Sequence, residues 1–199
     1  MIDQYSDDGT GWARFSDDMT MRYRLARKLT DSPGAALCFM NMTGAAPIHA
    51  STELEAKRVV FLMLNPSTAN AFKPDPTITE CIKRSRALDA DVLEVVNLFA
   101  LRTPYPADLK KCARSGRGGD HINDGEILTA CIGAQYVIAA WGNDGGLDSR
   151  EWHVRQQLDR VGVKLHHLGT TQAGEPKHPL ARGRHRIPAD MQPRPWSEP

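Results

Sequence analysis

The chain has 199 residues, of which 41% are hydrophobic and 25% charged, an ordinary balance for one soluble domain with its own core. Its longest apolar run, Val59 to Leu64, is far too short to cross a bilayer, and the acidic start Met1-Ile2-Asp3-Gln4 is unlike a secretory leader. Net charge is only +1, but five aspartates oppose Arg14 in residues 1–20, and five Lys/Arg oppose Asp190 and Glu198 from Lys177 onward.

The first fifty residues carry weak signals. Arg22-Tyr23-Arg24-Leu25 reads as an edge strand and Ala35 to Met42 as a short apolar element. Val59 to Leu64 is continuous and β-favouring, as expected of a strand buried on both faces. Asp75-Pro76 has the form of a helix cap with proline at the first helical position, and Ile78, Cys81, Ile82 and Leu88 follow at helical intervals. Val92 to Leu98 is a second strong strand.

Two short helical stretches, near 106–113 and 123–133, flank a Gly- and Arg-rich segment, Arg114 to Asp120. Tyr136 to Trp141 is a third buried strand, stopped by Gly142. Ser149 to Arg160 reads as a helix with Val154, Leu158 and Val161 inward, ended by Gly162. Val163 to Leu168 is a fourth, more polar strand. There is no evident internal repeat. Strands alternating with helices predict a single α/β domain over 1–188, a three-layer α/β/α sandwich with a mainly parallel central sheet. Residues 189–199, with Pro193 and Pro195, are expected to form a loosely ordered tail.

Cys38, Cys81, Cys112 and Cys131 are widely spaced and form no Cys-x-x-Cys pair, which argues against a zinc knuckle or a thioredoxin-like site. Cys81 and Cys131 read as small core residues, and the protein as cytoplasmic and reduced. His166-His167 would point its rings to opposite faces of a strand, poor geometry for one metal. No P-loop, no dinucleotide-binding glycine fingerprint and no hydrolase nucleophile elbow is present. No cofactor or metal is expected.

In open parallel sheets, ligands bind beyond the carboxyl ends of the strands. The polar residues there are Asn65-Pro66-Ser67-Thr68, then Asn97 with Phe99, then Trp141-Gly142-Asn143-Asp144, then Lys177-His178-Pro179-Leu180. Each segment taken singly also suits an ordinary turn, Asp75 equally suits a helix cap, and Arg182-Gly183-Arg184-His185-Arg186 equally suits a solvated surface.

The run Phe61 to Ala69, with Asp75-Pro76-Thr77-Ile78, Asn97-Leu98-Phe99-Ala100, Trp141-Gly142 and Gly174-x-x-Lys177-His178-Pro179-Leu180, resembles a bacterial and phage family known only as a domain of unknown function. The resemblance covers about residues 58–188. More distantly, the motif order is similar to that of the uracil-DNA glycosylase superfamily. There a first strand ends in a short Pro-containing loop, a second ends in asparagine, and a loop after the last carries His-Pro-Ser or a variant.

That likeness implies a glycosylase-like fold acting on DNA or on a nucleotide, with hydrolysis of the N-glycosidic bond of a damaged or modified base as its reaction. Asn65 would hold the attacking water, His178 would donate to the oxygen gaining negative charge, and Asn97 would read the base edge. Asp75 joins them as a candidate catalytic residue, and Pro66, Ser67, Phe72, Phe99, Trp141 and Gly142 as substrate contacts. Pro179 and Leu180 would wedge into the duplex, while Lys177, Arg182, Arg184 and Arg186 would grip phosphates. Ser67 stands where the mismatch-specific branch has glycine, Leu180 where serine is common, and Asn65 where the strongest uracil excisers carry aspartate. The alternatives are a non-catalytic nucleic-acid-binding module, and a small-molecule hydrolase or transferase on a nucleotide-like substrate using Ser67 or Asp75 with His178. The partner is thus nucleic acid, with DNA favoured, or a nucleotide-like small molecule, and no membrane; oligomeric state is not legible.

Overall fold

The computed structural model describes residues 1–43, 56–117 and 120–196. Eight strands form one sheet in the order β1-β2-β3-β5-β4-β6-β7-β8. They are β1 (Ile2–Tyr5), β2 (Gly11–Phe15), β3 (Arg22–Lys28), β4 (Arg58–Met63), β5 (Val92–Asn97), β6 (Tyr136–Ala139), β7 (Leu165–His167) and β8 (Arg194–Pro195). The helices are α1 (Pro33–Thr43), α2 (Pro76–Ala87), α3 (Pro106–Cys112), α4 (His121–Cys131) and α5 (Arg150–Arg160). Among the described residues no helix is long and apolar enough to cross a membrane.

The fold is α/β, and its sheet is mixed. β5, β4, β6 and β7 are mutually parallel, whereas β1, β2 and β3 add to one side and β8 to the other by antiparallel pairing. The expectation of a mainly parallel sheet therefore holds for the central four strands alone. Successive residues of β4 are buried on both faces, which explains its unbroken apolar run. Val59, Phe61 and Met63 pack with Ile78 and Cys81 of α2. Val60 and Leu62 pack with Leu109 of α3, Ile127 of α4, and Val154 and Leu158 of α5. Helices thus cover both faces.

Four elements differ from their sequence reading. β3 is an interior strand between β2 and β5, because β1 and β2 extend the sheet beyond it. The turns joining these strands are a local repeat. Ser6-Asp7-Asp8-Gly9-Thr10 and Ser16-Asp17-Asp18-Met19-Thr20 each fold around an aspartate that accepts from serine and threonine hydroxyls and a threonine N–H. Val161 is 48% exposed, because α5 ends one residue earlier and Gly162 turns the chain at φ +76°. The segment read as a loose tail supplies β8, and Trp196 donates its N–H to the Leu165 carbonyl at 2.9 Å. Residues 197–199 of that expected tail, and Gly118 and Gly119 of the Gly/Arg-rich segment, lie outside the described residues. No disulfide joins the four cysteines, and burial raises the thiol pKa of Cys81 and Cys131.

A charged ladder crosses the α4 face of the sheet. Glu94, fully buried on β5, accepts from Arg24 at 2.5 Å and from Arg58 at 2.7 Å. Glu126 of α4 bridges Arg24 and Arg14, and Arg14 reaches on to Asp3. Buried carboxylates survive only when paired and hydrogen-bonded in this way.

Candidate functional site at the sheet's carboxyl rim

The parallel strands run in the order second, first, third, fourth along the chain. The connection from β4 passes to β5 on one side, and that from β6 passes to β7 on the other. The crevice between the carboxyl ends of β4 and β6 is therefore a topological switch point, the usual ligand position in open α/β sheets. A small cavity, open to solvent, lies there. Its walls come from Leu64 and Asn65 after β4, Thr103 to Lys110 after β5, and Asp144 and Leu147 after β6.

Asn65 is held in one orientation. Its Nδ2 donates to the carbonyls of Thr103 at 2.8 Å, Pro66 at 3.1 Å and Leu101 at 3.4 Å. With the NH₂ group committed to three backbone oxygens, the amide cannot flip without facing oxygen with oxygen. Its Oδ1 is the atom left for a ligand. Pro66 is buried and also accepts from the Thr103 N–H, so the loops after β4 and β5 are doubly tied. Ser67 is half-buried and Phe72 is 56% exposed.

The same loop is braced from below by β2 and β3. Arg22 donates to the Ala69 carbonyl at 3.0 Å, and Arg27 donates to that of Asn70. Gly11 admits the Ala71 carbonyl where a Cβ would stand 2.1 Å from it. Burial pushes Arg22 down to about 9 and Arg27 to about 10, and the Asp75 charge partly offsets both. Asp75 caps α2, accepting from the Ile78 N–H at 2.8 Å, so its structural role is established.

Asn97 ends β5 fully buried, beside Met63 in register. Asn123 of α4 donates to the main-chain carbonyls of Asn97 and Leu98, and Arg150 of α5 donates to Leu98 at 2.7 Å. These bonds fix the strand end. The Asn97 side chain itself, both Oδ1 and Nδ2, has no partner among the described residues. A buried, unpaired carboxamide calls for an explanation.

The loop after β7 folds back over the rim. Pro176 accepts from the Gly142 N–H at 2.9 Å, and Lys177 donates its N–H to the Gly169 carbonyl at 2.9 Å. His178 follows, and its Nδ1 accepts from the Leu180 N–H at 3.2 Å. Burial lowers the His178 pKa, with attraction to Asp75 acting weakly against it. The ring is thus neutral at pH 7, and a neutral ring whose Nδ1 accepts must carry its proton on Nε2. The loop offers a fixed N–H donor.

The remaining sequence candidates divide. Phe99 is buried in the core on the α4 face, so it is no stacking surface; the residue after Leu98 turns inward where the strand ends. Trp141 is also buried, donating to Glu175 at 2.9 Å and meeting Trp196 edge to face at 5.0 Å. At 2% exposure the indole offers no open stacking face. Gly145 permits this, because a Cβ there would fall 2.1 Å from the indole. Pro179 is buried and Leu180 half-buried, which leaves Leu180 the more accessible of the two proposed wedges. Lys177 is half-buried along Gly169, while Arg182, Arg184 and Arg186 are exposed.

The structure therefore gathers the candidates in two groups. Asn65 faces the cavity on the α3 side; Asp75 and His178 interact electrostatically on the α2 side. Their hydrogen bonds share no partner among the described residues. Of the other lining residues, the sequence places Asp144 on the rim but does not point to Thr103, Lys110 or Leu147, nor to the exposed Tyr105 beside them. Proline on both sides of Tyr105 was the available signal, since Pro104 and Pro106 prevent that loop from continuing β5.

Residues 48–180 match a family model described as Protein of unknown function (DUF1643). No curated protein and no solved structure matches the chain.

Proposed function

The chain belongs to that DUF1643 family, whose description names no activity, and from its rim we propose a DNA- or nucleotide-acting protein of uracil-DNA glycosylase-like fold that hydrolyses the N-glycosidic bond of a damaged or modified base. The observation that carries this reading is His178. A ring held neutral, with Nδ1 occupied and Nε2–H free to donate, is suited to an oxygen that gains negative charge as a base departs.

Two further features support it. The Asn65 Oδ1 is a fixed acceptor at the switch point, and an acceptor there orients a water without deprotonating it. The Asn97 carboxamide, unpaired and rigidly mounted, has the donor and acceptor that a flipped base's polar edge would satisfy. Exposed Arg182, Arg184 and Arg186, with Lys177, supply positive charge for flanking phosphates. Phe72, exposed on the β4–α2 loop, is available for stacking.

The test is abasic-site formation on duplex and single-stranded oligonucleotides carrying uracil, mismatched and modified bases. Native protein should form product on at least one base, and Asn65→Ala and His178→Ala should suppress it. Product that survives both substitutions would remove these residues from the chemistry. Salt-sensitive binding with no product on any base would favour a non-catalytic module.

A further inference from the structure

The switch-point cavity contains charged groups that the glycosylase reading does not use. Its floor is apolar, from Leu64, Leu109, Leu147 and the two prolines beside Tyr105. The lining also includes Asn65, Lys110 and Asp144. Lys110 Nζ and Asp144 Oδ1 are 4.0 Å apart with side chains 48% and 54% exposed, a pairing that contributes little stability. Both are therefore available to a ligand.

We propose that this cavity binds a nucleoside monophosphate unit, with the base on the apolar floor, the sugar toward Asp144 and the phosphate on Lys110. The assignment follows from complementarity. A flat heterocycle matches a lining of prolines and leucines. A sugar hydroxyl matches the Asp144 carboxylate, and a phosphate matches the ammonium. Tyr105, 66% exposed at the cavity's edge, offers a further stacking face. The phosphate can come from a free nucleotide or from a strand. This inference rests on the nucleotide-directed reading above, but not on base release.

Calorimetric titration tests it, using the four deoxynucleoside monophosphates, their nucleosides, and a single-stranded oligonucleotide. Native protein should bind at least one monophosphate more tightly than its nucleoside. Lys110→Gln should cost about tenfold in monophosphate affinity, the order expected for one charge-assisted contact, and leave nucleoside affinity unchanged. Lys111→Gln, one residue on and also exposed, should have no effect, with thermal melting confirming that both variants fold. Binding of the oligonucleotide alone, lost with Lys110→Gln, would identify the strand as the phosphate source. Absence of binding by every probe, or equal affinities for Lys110→Gln and native protein, would overturn the assignment. Failure of base release with this binding intact would remove the hydrolytic reading and leave the pocket standing.

Discussion

The side-chain amide of Asn65 donates to the main-chain carbonyl of Thr103 at 2.8 Å, joining the loop after β4 to the loop after β5. Two further carbonyls, of Pro66 and Leu101, surround the same nitrogen. Asn65 is thus both a structural clip and the presenter of a single oriented oxygen. That dual role decides what substitutions do.

Asn65→Asp should not create a better catalyst here. It would replace the donor with an oxygen facing three carbonyls. The expected result is a loss of about 1–3 kcal/mol in stability by chemical denaturation, with no gain in base release. A variant that folds normally and turns over faster would show that the three carbonyls do not govern this position.

Asn97→Leu should separate stability from function. Replacing a buried, unpaired carboxamide by an apolar side chain of similar size removes two unsatisfied groups, and a gain of about 1–2 kcal/mol is expected. Base release or nucleotide discrimination should fall in the same variant. A destabilised Asn97→Leu would mean that the carboxamide has partners in the folded protein.

His178 sets an acid limit. Its pKa is lowered in the folded protein, so as pH falls below the ordinary value of 6.5 the unfolded chain binds a proton before the native chain does. Stability contributed by the neutral ring is complete above 6.5 and declines as pH falls from there toward the depressed folded pKa. His178→Asn should flatten that part of a stability-against-pH curve, measured by urea unfolding between pH 4.5 and 8. An unchanged slope would contradict the burial of a neutral ring.

Glu94→Leu should be among the most damaging substitutions outside the rim. It leaves Arg24 without its 2.5 Å partner and Arg58 without its 2.7 Å partner, both on the covered face of the sheet. A cost of about 3–5 kcal/mol is expected on removing one member of a buried ion pair. A melting temperature close to the native value would show that the ladder contributes specificity rather than stability.

The legible parts of this fold were those where one physical signal dominates. β4, β5 and β6 announce themselves because strands buried on both faces need unbroken apolar runs. The Asp75-Pro76 cap was equally clear, since few arrangements other than a helix start place those residues together. β3 reads only as an edge strand because half of its buried side chains are arginines. Arg22, Arg24 and Arg27 are buried yet read as polar, and they donate to Ala69, Glu94 and Asn70, which lie far away in sequence. The Ser-Asp-Asp-x-Thr turns were visible and overlooked. At the rim, strand ends located the loops correctly, but facing directions depend on contacts between loops. Asn65 toward α3, Phe99 into the core and Trp141 beneath Trp196 are outcomes of packing that no local pattern encodes.

The most direct test of the proposed chemistry is single-turnover release of free base, followed by mass spectrometry, from oligonucleotides carrying a panel of modified bases. Native protein should release at least one base, and His178→Ala should slow that release about 10²–10³-fold, the usual cost of losing one donor to a developing oxyanion. Equal release by native protein and His178→Ala, or none from any base in the panel, would contradict a glycosidic reaction at this rim.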